Sequence, residues 1–205
     1  GQEQVFIALS EAREIQVENG DLLLYPDFFG AAQADQMLQH LLREIVWQQP
    51  RIRIMGKSCL IPRLQAWYGD DGAAYRYSGL MLQPLPWTET LLQVKNSVEL
   101  AAGTEFNSVL VNRYRDGQDS VGWHSDDEPE LGVNPIIASL SFGATRTFRL
   151  QHKKHKEQRL DLVLTHGSML LMRGGLQHYW RHQLPKSKSV TQERINLTFR
   201  RVLWI

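Results

Sequence analysis

The chain has 205 residues, 42% of them hydrophobic, and its six Trp, six Tyr and seven Phe supply a sizeable core without covalent staples. The single cysteine, Cys59, excludes an internal disulfide and fits a reducing compartment, cytoplasmic in a bacterium or nuclear in a eukaryote. No apolar run approaches the roughly 20 residues of a membrane span, and the acidic N-terminus lacks a signal-peptide pattern. The net charge of +1 conceals opposed halves: residues 1–140 carry ten basic and 19 acidic side chains, residues 141–205 thirteen and three. Such a split fits one face for an anionic partner, or two halves that intermix on folding and cancel.

Asp21 to Tyr25 is a short apolar run stopped by Pro26, as a strand would be. From about Ala31 to Trp47, Met37, Leu38, Leu41, Leu42 and Ile45 fall at the spacing of one helical face. A second helix is expected from Thr88 to Ala101. Thr88 would cap it, Leu91, Leu92, Val94, Val98 and Leu100 are available for burial, and Gly103 would end it. Strands are expected at Val109–Val111, Ile136–Phe142, Thr147–Leu150, Leu160–Leu164, Ser168–Met172 and Ile195–Val202, with loops at Gly69–Gly72 and Asp116–Gly122. Two helices followed by a run of strands predict helices packed on a β-sandwich, an α+β fold.

Val121-Gly122-Trp123-His124-Ser125-Asp126 sets His124 and Asp126 two residues apart, so an extended backbone points both to one face. His182 follows 56 residues after Asp126. Two imidazoles and one carboxylate on one side of an ion leave positions open, as non-haem Fe(II) oxygenases require. Zinc takes the same ligand types, and HxD alone also occurs in exposed acidic loops. Twelve residues beyond His182, the run Arg194 to Arg200 alternates: Arg194, Asn196, Thr198 and Arg200 share a face, and Ile195, Leu197 and Phe199 share the other. Two arginines in an inner row are costly unless they meet an anion. A dicarboxylate gives each a bidentate partner. The plain alternative is a solvent-facing edge strand. Asn112 and Tyr114 share a face in the same way.

These motifs, with Trp123-His124-Ser125-Asp126-Asp127-Glu128, Ala138-Ser139-Leu140-Ser141-Phe142-Gly143-Ala144, His166-Gly167-Ser168, His182 and the RxNLTFR run, resemble the AlkB family of nucleic-acid demethylases. The similarity runs from about residue 50 to the end. It implies one dioxygenase domain over 1–205. N-terminal helices and a nucleotide-recognition hairpin lid would span about 1–105, and a double-stranded β-helix (jelly roll) about 106–205. It implies iron ligation by His124, Asp126 and His182. It implies 2-oxoglutarate contacts from Asn112, Tyr114, Arg194, Asn196, Thr198 and Arg200, with Arg194 and Tyr114 at the distal carboxylate and Arg200 and Asn112 near the metal-bound end. O₂ is the other cosubstrate. Asp127 and Glu128 would touch the substrate base, and Tyr75 and Tyr77 would border and stack on it once flipped.

Ile54-Met55-Gly56-Lys57 stands where the duplex-preferring members carry an apolar wedge, and Met55 replaces their aromatic residue. Met55, Gly56, Lys57 and Arg63 are the expected nucleic-acid contacts of this region. Arg51 and Arg53, the run of Arg146, Arg149, Lys153, Lys154, Lys156 and Arg159, and Lys186 and Lys188 are further phosphate candidates. The resemblance implies a monomeric DNA repair enzyme that flips N-alkylated bases such as 1-methyladenine and 3-methylcytosine and demethylates them, releasing formaldehyde, succinate and CO₂. An RNA demethylase of the same family, a non-catalytic nucleic-acid-binding module and a zinc hydrolase are the competing readings.

Overall fold

The computed structural model describes residues 11–77 and 80–203. In chain order the strands are β1 (Arg13–Ile15) and β2 (Asp21–Tyr25), then helix α1 (Ala31–Glu44) and β3 (Arg51–Ile54), β4 (Lys57–Leu60), β5 (Leu64–Gly69), β6 (Tyr75–Tyr77) and β7 (Leu80–Leu82). Helix α2 (Glu89–Ala102) precedes β8 (Ser108–Tyr114), β9 (Val121–His124), β10 (Ile137–Gly143), β11 (Arg146–His152), β12 (Arg159–Leu164) and β13 (Met169–Arg173). The one-turn helix α3 (Leu176–Tyr179) leads into β14 (Trp180–Leu184) and then β15 (Arg194–Arg200).

Seven strands form one sheet in the order β1-β2-β13-β10-β15-β8-β5, and four form another, β12-β11-β14-β9. All pairings in both are antiparallel. Strand alternation sorts the two faces of the large sheet. Val109, Val111, Leu140, Ile195, Leu197 and Phe199 turn to one side, into a core completed by Met37 and Leu41 of α1 and Leu91, Val94 and Val98 of α2. Ile137, Leu170 and Met172 turn to the other, where they meet Phe148, Leu150, Leu162, Leu164 and Trp180. The helices therefore back the large sheet, and the four-stranded sheet closes its other face, the jelly-roll arrangement the resemblance implied.

The expected elements are present, with differences at their edges. Helix α1 stops at Glu44 rather than Trp47 because Ile45 is already extended (φ −71°, ψ 134°). Thr88 caps α2 by accepting from the Leu91 N–H at 3.1 Å, and Gly103 ends it in the left-handed region (φ 68°). Of the residues available for burial, Leu92 and Leu100 are 40% and 70% exposed. The expected boundary near residue 105 does not divide the fold, because β1, β2 and β5 are strands of the large sheet. Among the described residues no helix is long and apolar enough to cross a membrane.

Two small hairpins stand apart from these sheets. Strands β3 and β4 pair with each other and turn through Met55 and Gly56, both at positive φ (51° and 79°). Two such residues make the tight turn whose twist matches a hairpin. Met55 sits at its tip, 98% exposed, with Ile54 half exposed beside it. Strands β6 and β7 form the second hairpin.

Candidate metal centre and cosubstrate pocket

Strand β9 pairs with β14 so that His124 and His182 are direct cross-strand neighbours. Their rings lie 4.3 Å apart between centroids at 68°. The His124 Nδ1–H donates to the Gly122 carbonyl at 2.8 Å, which makes Nε2 the atom for a metal. Asp126 follows just past the strand, 1% exposed, and its Oδ2 lies 3.8 Å from His182 Nε2. One ligand atom from each of His124, Asp126 and His182 falls within 4.8 Å of the other two. Arg200 of β15 donates from Nη2 to Asp126 Oδ1 at 2.9 Å. One carboxylate oxygen is thus engaged and the other faces the histidines.

The electrostatics suit a cation. Burial depresses the His182 imidazole to about 3, with His124 pushing the same way and Asp126 opposing. Burial also lowers His124, against the pull of Asp126. For Asp126 burial acts upward, but Arg200, His124 and His182 together outweigh it and hold the carboxyl at about 2. At neutral pH the site therefore offers two neutral imidazoles and one carboxylate, the state a metal needs.

The cavity beside these ligands lies between the sheets. All six residues expected to bind a dicarboxylate line it: Asn112 and Tyr114 from β8, and Arg194, Asn196, Thr198 and Arg200 from β15. Strand β15 is central rather than an edge, and register sets Arg194 opposite Tyr114 and Asn196 opposite Asn112. Arg194 is 2% exposed and lies over the Tyr114 ring at 5.4 Å. Its Nη2 donates to Ser141 Oγ at 2.9 Å. Burial lowers it to about 10, partly countered by Tyr114 and reinforced by Arg146, and no carboxylate is among the groups acting on it. Arg194 Nε, Arg200 Nε and Nη1, and Asn112 Oδ1 are buried without hydrogen-bond partners among the described residues. Unpartnered guanidinium donors at both ends of the row fit a ligand with two anionic ends. The His–Asp–His set and the donors present thus fit Fe(II) and 2-oxoglutarate.

A family model described as the 2OG-Fe(II) oxygenase superfamily matches residues 21–200. Over 189 residues the chain is 46% identical to the DNA oxidative demethylase ALKBH2 of Bos taurus, covering 87% of this chain and 68% of that protein. Over 188 residues it is 44% identical to the alpha-ketoglutarate-dependent dioxygenase alkB homolog 3 of Homo sapiens, covering 87% and 65%. The chain belongs to the AlkB family of 2OG-Fe(II) oxygenases. Its cofactors are therefore Fe(II), 2-oxoglutarate and O₂. The solved structure of OsALKBH1 shares the fold at TM-score 0.65 and 18% identity, over 92% of this AlkB-family chain and 100% of that one.

The expected nucleic-acid contacts are less uniform. Met55, Gly56 and Lys57 are exposed on their hairpin. Arg63 is a correction: it is 4% exposed and donates to the Ser120 carbonyl at 3.1 Å, so it is no surface phosphate ligand. Its charge acts inward and helps lower His124. Tyr75 is fully buried, stacked on Trp67 at 4.9 Å, with Arg200 5.4 Å from its ring centre. Its hydroxyl meets Glu128. Burial raises both Tyr75 and Glu128, and the nearby Asp126 charge adds to each. The side chain of Tyr77 lies outside the described residues. Asp127 is exposed and pairs with Lys153 at 3.4 Å, and Lys153 also reaches the Gln177 carbonyl at 3.0 Å. Lys153, Lys154 and Lys156 are all exposed, whereas Arg146 is a correction: it is 2% exposed and donates to the Asp116, Asp119 and Pro185 carbonyls, so it is no surface phosphate ligand.

Residue-by-residue reading missed Ser139 and Ser141 of β10. Ser139 accepts from Asn196 Nδ2 at 2.8 Å, and Ser141 holds Arg194. Their shared face with β15 was available from the alternation of Ala138 to Phe142, but the neighbouring strand was not.

Proposed function

We propose that the chain is a DNA oxidative demethylase acting on N-alkylated bases. The observation that carries this is the single cavity joining the His124–Asp126–His182 set to the two-arginine row. The named activity of the ALKBH2 relative supplies the substrate class. Bound iron, with 2-oxoglutarate and O₂, supplies the oxidising power: the cosubstrate becomes succinate and CO₂, one oxygen atom enters the N-methyl C–H bond, and the resulting hydroxymethyl group leaves as formaldehyde.

The protein supplies orientation and charge. His124, Asp126 and His182 would hold the iron. Arg194 with Tyr114 would grip the distal carboxylate of 2-oxoglutarate, Arg200 with Asn112 would serve its other end, and Asn196 and Thr198 order the row between them. A base modified on its pairing edge is reached only after flipping. Asp127 and Glu128, next to the ligands, favour a cationic base such as 1-methyladenine or 3-methylcytosine. The β3–β4 hairpin reaches the helix, with Met55 as an apolar wedge, Gly56 shaping the tip, and Arg51, Arg53 and Lys57 toward phosphates.

The test is turnover. Purified protein with Fe(II), 2-oxoglutarate and an oligonucleotide carrying 3-methylcytosine should lose one methyl group by mass, and His124→Ala should abolish the loss. Iron binding without turnover on any methylated DNA would sink the reading, and turnover on RNA alone would transfer it to the RNA arm. Met55→Ala should slow duplex repair by about tenfold, roughly 1.4 kcal/mol of lost wedging, and leave single-strand repair near wild type. Equal slowing on both strands would remove the wedge.

A further inference from the structure

Asp126 lies two residues beyond the end of β9, where no sheet ladder holds it. Its side chain is buried, so its backbone N–H needs an acceptor supplied from elsewhere. That acceptor is a side chain: Gln177 Oε1 of α3, at 2.9 Å. Gln177 is 2% exposed, and its Nε2 donates to Met172 Sδ at 3.6 Å, which decides which end of the amide faces Asp126. A second tie lies alongside, from Ser125 Oγ to the Trp180 carbonyl at 2.7 Å. Residues 177–180 run directly into β14, which carries His182. The corner that delivers one histidine therefore also holds the loop that delivers the carboxylate.

We propose that Gln177 is a positioning residue of the iron site, fixing the Asp126 backbone so that Oδ2 meets the metal while Oδ1 stays with Arg200. It acts through Asp126. It is absent from the cavity wall and offers the ion no atom of its own. Without the acceptor, the amide of a buried residue is left unsatisfied, and the Ser125–Asp126 segment regains freedom to turn the carboxylate away from the histidines. The inference rests on the metal reading above.

The test uses Mn(II) as the probe, titrated into the metal-free full chain with 2-oxoglutarate present, free Mn(II) being read by its paramagnetic resonance signal. Gln177→Leu and Gln177→Met should each weaken Mn(II) binding by about tenfold to hundredfold, the range for groups that orient a metal ligand. Gln177→Glu keeps an oxygen acceptor and should recover affinity to within about threefold of wild type. The methionine variant keeps the chain length and packing, so it decides the matter where the leucine variant fails to fold. Binding by Gln177→Met within about twofold of wild type, or an equal loss in the methionine and glutamate variants, would overturn the role of Gln177 alone. Absence of Mn(II) binding by the wild-type chain would overturn the metal reading and this one with it.

Discussion

Arg194→Leu is expected to make the cosubstrate-free protein more stable, by about 1–2 kcal/mol, while weakening 2-oxoglutarate binding by roughly a hundredfold or more. The two effects share one cause. Arg194 is a guanidinium 2% exposed, its charge is opposed by Arg146, and among the described residues no carboxylate acts on it. Desolvating a cation without a counter-ion costs several kcal/mol, and a leucine in its place incurs no such cost. The gain is reduced because Ser141 loses its donor, a loss of about 1 kcal/mol. With the dicarboxylate bound the balance reverses. Two charge-assisted hydrogen bonds to the distal carboxylate are each worth about 1.5–3 kcal/mol, and the leucine makes neither. Thermal melting with and without 2-oxoglutarate, Mn(II) present throughout, reads both. At a hundred times its dissociation constant the cosubstrate should stabilise wild type by about 2.7 kcal/mol, a rise of roughly 5–11 °C for a chain of this size. The variant should melt higher without cosubstrate and respond little to it. A variant less stable than wild type without cosubstrate, or one stabilised equally by the same concentration, would refute the assignment.

The row on β15 was legible because it is local. Seven consecutive residues alternate, and alternation in an extended chain is a statement about faces. The HxD pair was legible for the same reason, since His124 and Asp126 are two residues apart. What alternation leaves out is which strand lies alongside. Ser139 and Ser141 became part of the site only through the register of β10 against β15. Gln177 lies 51 residues from Asp126, and nothing in Leu176-Gln177-His178-Tyr179 distinguishes its amide from an ordinary surface group.

Arg63 misled in the opposite direction. It sits among Arg51, Arg53 and Lys57, which are exposed, yet it folds inward to the Ser120 carbonyl. A cluster of like charges reads as a solvated face, and the chain gives no local sign that one member has a buried acceptor. The stacking of Tyr75 on Trp67 was equally hidden, because Trp67 belongs to β5, an edge strand of the large sheet, while Tyr75 belongs to a separate hairpin. Leu92 and Leu100 show the same limit on a helix: apolar side chains at nearly the right spacing are left facing water.

The other arginine of the row should behave in the reverse manner, because it has a counter-ion. Arg200 is 3% exposed and donates to Asp126 Oδ1, and burial of Asp126 alone would raise its carboxyl. Arg200→Met should therefore destabilise the metal-free protein by about 3 kcal/mol, the cost of stranding one member of a buried pair, or roughly 6–12 °C of melting temperature. The pH dependence follows from the sign of the shift. Asp126 is held at about 2, below the ordinary carboxyl value, so its paired form adds stability that is fully present above about pH 4 and is lost as pH falls through 2. The gap between wild type and variant should accordingly be widest near neutrality and narrow in acid. A divalent cation supplies the missing positive charge directly to Asp126. Mn(II) should thus recover much of the lost stability in Arg200→Met, while turnover stays about 10–100-fold down because nothing then reserves Oδ1 from the metal. A metal-free variant that melts with wild type, or a gap that widens as pH falls, would show that Asp126 does not depend on Arg200. Both outcomes separate the two arginines by what faces them. In the proposed site Arg194 carries a charge that awaits the cosubstrate, and Arg200 carries one already committed to Asp126.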